Sequence, residues 1–350
     1  MDHARFADRD ARGVIDVRHG PKALDAISGE GVWAVVASFE GAVTAVRFAD
    51  VTPRSYAAGS GHARTSPAAV GWEPLDRRWH TSLDRTAYVR AVEEVRERIA
   101  AGTVYQVNVC RVLSHELGLD ADLDGLDALL RQGNPAPHAA RIRCDAAGLD
   151  VVSASPELFL SRRDGRLVTR PIKGTAATAE QMLPKDFAEN VMIVDLMRND
   201  ISGVCDPGTV SVDELCALEA HPGLVHLVST VSGRLRDGVG WTEIFSAAYP
   251  PGSVSGAPKS SALEAIHDLE SAPRGPYCGA VGWVDADRGE ADLAVGIRTF
   301  WAERDEAGRR WLRFGTGAGI TWQSDAEGEW AETELKAARL IGLAAGTVTP

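Results

Sequence analysis

Apolar residues recur along this chain with two periods, and the switches between them mark out its elements. Tyr88, Val92, Val95 and Ile99 lie at i, i+4, i+7 and i+11, which predicts a helix opening at Asp84 and stopping at Gly102. Residues 104–113 then alternate as a strand does. Two more helices are expected, one from about 185 to 199 and one from about 325 to 343. Residues 31–41 and 42–48 read as a strand pair turning at Glu40-Gly41, and 57–69, rich in Gly, Ser and Ala, as a surface loop or linker. Shorter strands are expected at 280–284 and 293–298, with a turn at Asp287-Arg-Gly289. Strands in groups, separated by a few helices, point to an α+β fold with large antiparallel sheets and not to regular βαβ alternation. Residues 1–75 are expected to form an N-terminal subdomain packed on a catalytic core over 80–345.

Composition narrows the possible partners. The 350 residues are 45% hydrophobic and 25% charged, the balance of a globular chain with a substantial core. A formal net charge of −12, with no basic stripe, argues against nucleic acid or an anionic membrane as partner. It does not argue against an anionic small substrate, because a site can be locally positive or metal-assisted. No apolar run is long enough to span a bilayer, and the first ten residues lack the apolar stretch of a signal peptide. Five cysteines without a C-x-x-C pair suggest reduced thiols and a cytoplasmic location.

Candidate chemistry begins at Arg170-Pro171-Ile172-Lys173-Gly174-Thr175. Pro171 fixes its own φ and pushes Arg170 toward extended backbone, while Gly174 permits a tight turn or a close approach. Lys173 is thereby held near one geometry, as a nucleophilic amine must be. Upstream, Ser153-Ala-Ser-Pro-Glu157 sets a single acid after another proline. The same residues also fit two ordinary strands joined at Arg162-Arg-Asp-Gly165, with Glu157 and Lys173 as a cross-strand pair. Two predicted helices carry acids three apart, Asp186 with Glu189 and Glu329 with Glu332. Each pair shares a helix face, and two such faces across a cleft would suit Mg²⁺; solvated helix faces have the same spacing. Gly315-Thr-Gly-Ala-Gly319 could offer backbone N–H groups as an anion nest. It opens no helix in a βαβ unit, so a dinucleotide fingerprint fits poorly. Gly256-Ala-Pro-Lys-Ser lacks phosphate-loop spacing, and Gly252-Ser-Val-Ser-Gly256 has Val where a hydrolase elbow needs Ser.

In order along the chain from about residue 80, these motifs resemble those of the chorismate-utilising enzymes. The group comprises the anthranilate and aminodeoxychorismate synthase large components and the isochorismate and salicylate synthases. The run continues through Ala188-Glu-Asn-Val-Met-Ile-Val-Asp195-Leu-Met-Arg198-Asn-Asp200, His226-Leu-Val-Ser-Thr230 and Pro251-Gly-Ser-Val-Ser-Gly-Ala-Pro-Lys259. It closes with Arg274-Gly-Pro-Tyr277-Cys-Gly-Ala-Val-Gly282, Gly296-Ile-Arg298-Thr, the glycine run and Glu329-Trp-Ala-Glu332-Thr-Glu-Leu-Lys336. The resemblance implies the chorismate-binding fold, two layered α/β subdomains with the active site in the cleft. It implies Mg²⁺ held by Glu189 and Glu332, with Asp186 and Glu329 in the outer shell ordering metal-bound water. It places His226 beside the substrate ring and Ser253, where Thr is usual, near the substrate. Thr175, Tyr277, Arg298, Gly317, Ala318, Gly319 and Lys336 join the substrate-binding set, Arg298 as the fork for a carboxylate. Lys336, four residues after Glu332, equally fits a surface salt bridge. Asp195, Arg198, Asn199 and Asp200 read as structural, ending their helix.

Two positions separate the branches. Members that use water carry a lysine base where this chain has Gln106, and a neutral amide cannot take a proton from water. Gln106 therefore fits the ammonia-using branches. At Lys173 anthranilate synthases have alanine, whereas aminodeoxychorismate synthases have lysine. The closest resemblance is thus to aminodeoxychorismate synthase component I. The implied roles are Lys173 as nucleophile at C2 of chorismate and Glu157 as general acid for the C4 hydroxyl. Ammonia would come from a separate glutamine amidotransferase subunit, since no cysteine sits in a glutaminase elbow, and the product would lead toward para-aminobenzoate and folate. Alternatives are an anthranilate synthase component I and a non-catalytic chorismate-binding protein. Two departures stand out. Ala176-Ala-Thr-Ala-Glu180 replaces the Arg-Pro-Arg-Gly-type run that often follows PIKGT, and no Leu-Leu-Glu-Ser element of tryptophan-inhibited members lies near the N-terminus.

Overall fold

A computed structural model describes residues 1–54, 71–76, 78–221 and 224–348. The expected loop at 57–69 lies outside the described residues. The N-terminal part supplies β1 (His3–Arg5), β2 (Arg9–His19), α1 (Pro21–Ile27), β3 (Val32–Ala37) and β4 (Val43–Pro53). Next come β5 (His80–Thr81), α2 (Arg85–Ala100), β6 (Gln106–Leu117), α3 (Leu123–Gly133), β7 (His138–Cys144), β8 (Leu149–Ser155) and β9 (Leu158–Arg163). The middle holds β10 (Arg166–Arg170), β11 (Ile172–Ala176), α4 (Pro184–Ser202), β12 (Ser211–His221), β13 (Leu224–Arg234) and α5 (Trp241–Ala248). The last part holds β14 (Gly256–Ala257), α6 (Lys259–Leu269), β15 (Ala280–Asp285), β16 (Glu290–Val295), β17 (Thr299–Arg304), β18 (Arg310–Ile320) and α7 (Ala326–Ala344). This is the α+β architecture that the grouped strands and sparse helices imply.

Strand pairing is antiparallel and forms one series that doubles back on itself. One half runs β12–β13–β10–β9–β16–β15–β3–β4–β2, with β11 also on β13. Through β1 it passes to the second half, β7–β8–β17–β18–β6. The N-terminal strands are thus hydrogen-bonded into the rest, β3 on β15 and β1 on β7. The chain crosses directly between the halves at two places, residues 156–157 and 296–298. The crossings run side by side, tied by Val295 N–H to Glu157 O (3.0 Å) and Ala154 N–H to Arg298 O (3.0 Å). Glu157 and Arg298 each ride on one of them. The strand order alone therefore puts both side chains where the halves meet.

Local signals explain the helices around this frame. Asp84 caps α2 by accepting from Ala87 N–H (2.8 Å), and Gly102, at φ +74, ends it. Tyr88, Val92 and Val95 are the buried stripe. Asp325 caps α7 in the same way through Gly328 N–H (2.8 Å). Helix α4 runs on to Ser202, past the Asp195–Asp200 stretch that the sequence suggested would end it. The reason is a buried ion pair: Asp200 accepts from Lys259 Nζ at 2.7 Å and so packs inward. Burial pushes the Asp200 carboxyl up to about 6 against that lysine.

The glycine run 315–319 is extended strand, not an anion nest. It lies in β18, register-paired to β6 from Gly315↔Val112 to Gly319↔Asn108. None of its glycines has positive φ, so the alternating backbone of a nest is missing. Close packing demands the small residues instead: a Cβ at Gly315 would lie 2.0 Å from Tyr277 Cγ. Gly315→Ala should therefore destabilise the protein by about 2–3 kcal/mol in urea unfolding, as overpacking does. A loss under about 0.5 kcal/mol would contradict this packing.

Candidate active site

Six elements converge on the cleft: the 156–157 crossing, β11, the turn at 252–254, one face of β6, and the helices α4 and α7. Lys173 sits where the β11–β13 ladder slips, between Ile172↔Val228 and Thr175↔His226. A bulge re-aims a side chain out of the pleat, and here it sends the amine to Ser253 O at 2.9 Å. Gly174 makes this possible. Its φ is +88, and a Cβ would come within 2.8 Å of both Asp186 Cβ and Met182 Sδ on the approach to α4. Its close approach is to that helix, not to a ligand.

Glu157 is buried, and its Oε1 accepts from Ser253 Oγ at 2.5 Å. Burial pushes its carboxyl up to about 7, against the Ser253 hydrogen bond and the charges of Lys173 and His138. Burial likewise pulls the Lys173 amine below its ordinary value, against Glu157, Glu189 and Glu332. Among the described residues no carboxylate lies within ion-pair distance of Lys173, whose hydrogen bond goes to a carbonyl. An acid kept protonated near neutrality and an amine made easier to deprotonate thus stand around one serine. That disposition goes beyond a plain cross-strand ion pair.

The β6 strand is buried on both faces from Gln106 to Ser114. Its odd positions meet the helices, with Tyr88 Oη donating to Val109 O (3.1 Å) and Arg111 Nε to Thr333 Oγ1 (3.0 Å). Its even positions, Gln106 and Asn108, face the glycine run and the 252–254 turn: a Cβ at Gly319 would meet Gln106 Nε2 at 2.4 Å. Both polar atoms of the Gln106 amide are buried without a hydrogen-bond partner. A buried amide left this way is costly unless a ligand completes it. Asn108 donates to Ser253 O at 3.3 Å and was not singled out from sequence. The signal was present, since a second polar residue two positions on from Gln106 shares its strand face.

Thr175 and His226 are cross-strand neighbours, Oγ1 to Nδ1 2.8 Å, with His226 buried. Arg298 is held at φ +52 and half-buried, and burial pulls its guanidinium below the ordinary value. Among the described residues no carboxylate pairs with it. A desolvated, unpaired guanidinium on strained backbone is a ready fork for an incoming carboxylate. Tyr277 is placed differently: its ring lies under Gly315 and its hydroxyl faces Cys110 Sγ at 3.9 Å, in the interior. Ala318 points into the core, leaving Gly317 and Gly319 on the site side of β18. Lys336 bonds both Glu332 Oε1 (2.7 Å) and Gly317 O (3.1 Å), so it bridges α7 to the strand.

Glu189 on α4 feels the charge of Glu332 on α7, and each has its own helix neighbour beside it, Asp186 or Glu329. Burial raises Glu189, and the charges of Asp186 and Glu332 raise it further against Lys173 and Lys185. Burial also raises Glu329, with Glu332 adding to it and the Ser324 hydrogen bond (2.6 Å) opposing. Burial acts to raise Glu332 too, but Lys336, Lys185 and Lys173 hold it below its ordinary value. Asp186 spends one oxygen on Leu183 N–H (2.8 Å). Among the described residues no three His, Cys, Asp or Glu side chains are already gathered at one point. Two carboxylates whose charges repel each other nevertheless fit Mg²⁺, which needs only one or two acid ligands. Glu189 and Glu332 would hold it.

A family model described as chorismate binding enzyme matches residues 43–342, and the chain belongs to that family. Aminodeoxychorismate synthase component 1 of Klebsiella aerogenes is 37% identical over 293 residues, 80% of this chain and 62% of that protein. Anthranilate synthase component 1 of Saccharolobus solfataricus is 39% identical over 267 residues, 73% of this chain and 61% of that protein. The chain thus spans about three fifths of the length of these curated relatives. Among solved structures, anthranilate synthase component I of Streptococcus pneumoniae superposes with TM-score 0.78 at 22% identity, covering 97% of this chain and 92% of that one. The menaquinone-specific isochorismate synthase of Escherichia coli gives 0.75 at 19%, covering 98% and 88%. They share the fold. No helix among the described residues is long and apolar enough to cross a membrane.

Proposed function

We propose that this chain aminates chorismate at C4, giving 4-amino-4-deoxychorismate, with Lys173 as a covalent nucleophile. The observation that carries this reading is the Lys173 amine itself, desolvated and held by the Ser253 carbonyl beside a buried Glu157. The neutral amine attacks C2, both double bonds of the ring diene shift one place round the ring away from C2, to C1=C6 and C4=C5, and the C4–O bond breaks as Glu157 gives its proton to the departing hydroxyl. Ammonia then adds at C4, both double bonds shift back and expel the lysine amine from C2, and the new C4 ammonium returns a proton to Glu157. Arg298 orients one carboxylate, and the Gln106 amide can complete its hydrogen bonds on substrate or ammonia. Mg²⁺ on Glu189 and Glu332 would neutralise the other carboxylate. Ammonia would come from a separate glutamine amidotransferase, and the product would lead toward para-aminobenzoate and folate. Anthranilate formation is the rival reading, favoured by the 39% identity to the Saccharolobus protein. Lys173 speaks against it.

Mass spectrometry of the Lys173 peptide tests the nucleophile. With chorismate present and ammonia withheld, it should carry a chorismate-derived adduct that Lys173→Ala cannot form. An unmodified peptide under these conditions would argue against the step. For the metal, Glu189→Gln and Glu332→Gln should each cost at least about a hundredfold in Mg²⁺-dependent turnover, leaving thermal unfolding near that of the parent protein. Turnover that survives a chelator would rule this metal site out.

A further inference from the structure

Ser253 is bonded to both reacting groups, and Asn108 is bonded to Ser253. Its hydroxyl donates to Glu157 Oε1 at 2.5 Å, while its carbonyl accepts from Lys173 Nζ at 2.9 Å and from Asn108 Nδ2 at 3.3 Å. Ser253 is itself buried and sits in a single turn of 3-10 helix, Gly252–Val254. That turn is anchored at its C-terminal end: Val254 O accepts from buried Arg274 (2.9 Å), and Asn108 N–H donates to Ser255 O (2.8 Å). A cap this rigid can hold two partners in fixed relation.

We propose that Ser253 and Asn108 form a positioning unit that fixes how the Glu157 acid and the Lys173 amine face the substrate, with Ser253 acting through these groups and not as a substrate ligand. The proposal rests on the amination reading for the roles of Glu157 and Lys173. A serine that donates to Oε1 makes that oxygen the acceptor of the carboxyl group. The transferable proton is then confined to Oε2, the oxygen left for the leaving hydroxyl. The carbonyl of the same residue takes one N–H of the lysine, which orients the amine lone pair away from Ser253. Asn108 supplies the second donor to that carbonyl and keeps the peptide plane from rotating. The charged groups facing Glu157 are Lys173 from β11 and His138 from β7. Neither is altered by changes at Ser253 or Asn108.

Infrared titration of the Glu157 carboxyl band, assigned by its absence in Glu157→Gln, tests the unit without turnover. The parent protein should titrate near pH 7. Ser253→Ala should move that midpoint up by about one pH unit through loss of a charge-assisted hydrogen bond, and Ser253→Thr should restore it. In steady-state assays with ammonium, Ser253→Ala should lower kcat roughly 30-fold with KM within about threefold, since only orientation is lost. Asn108→Ala should lower kcat about tenfold and leave the Glu157 midpoint in place, because it acts on the carbonyl side. An unmoved midpoint in Ser253→Ala, or a loss expressed in KM alone, would overturn the proposal and make Ser253 a substrate ligand. If the parent protein shows no amination, the reaction reading fails, while the infrared midpoints still decide whether Ser253 holds the acid.

Discussion

Replacing Lys173 by alanine should cut formation of the 4-amino product by at least about a thousandfold, the scale expected when a covalent nucleophile is removed. The loss should fall on kcat. Chorismate should still bind within about tenfold of the parent affinity, because Arg298 and the carboxylates of α4 and α7 are untouched. Lys173 is half-buried and its hydrogen bond goes to the Ser253 carbonyl, so its truncation leaves no unpaired buried charge. The fold should therefore tolerate the change, and a variant that folds but does not turn over separates chemistry from stability. Equal rates of 4-amino product in parent and variant would remove Lys173 from the mechanism.

Glu157→Gln should lose at least about a hundredfold in turnover, since a glutamine cannot protonate the leaving hydroxyl. Its effect on stability should run the other way, and only at alkaline pH. The folded-state pKa is raised from 4.5 to about 7, so the folded protein binds the proton more tightly than the unfolded chain. Stability linked to this group is fully present below about pH 4.5 and is lost as the pH rises through about 7. At pH 8 the buried carboxylate costs the parent protein on the order of 3 kcal/mol, at ~1.4 kcal/mol for each tenfold difference in proton affinity. Glu157→Gln escapes that cost. It should melt higher than the parent at pH 8 and about equally at pH 4.5. A variant that is less stable at both pH values would mean that Glu157 holds the fold together and is not strained for chemistry.

Local physics made much of this architecture readable from the chain. The helix from Asp84 to Gly102 carries its own cap, stripe and stop, and α7 begins at Asp325 for the same reason. The hairpin at Arg162–Gly165 needs two residues at positive φ, and Asp164 and Gly165 supply them. What could not be read depended on partners far away in sequence. That β3 pairs with β15, about 250 residues on, is written in neither strand. The glycine run read as an anion nest because its reason is steric, the ring of Tyr277 beneath Gly315, and a sequence does not show which ring lies where. Asp200 resembled a helix terminator for want of any sign that Lys259 would reach it.

The candidate site divides in the same way. The identities of Glu157, Lys173, Gln106 and Arg298 were legible as motif residues. Their arrangement was not, because the bulge that turns Lys173 to Ser253 arises from a register slip against β13. Tyr277 was expected in the substrate-binding set, and its hydroxyl instead meets Cys110. Asn108 passed unremarked inside an apolar strand, although burial of its neighbours leaves it only the site side to face.

Amination at C4 is decided by one product analysis. The pure protein, incubated with chorismate, Mg²⁺ and ammonium at alkaline pH, should release 4-amino-4-deoxychorismate. The 2-amino isomer has the same mass, so chromatographic separation or coupling to a lyase that yields para-aminobenzoate must distinguish them. The 4-amino isomer without pyruvate is the expected result. Fluorescent anthranilate with one equivalent of pyruvate would contradict it.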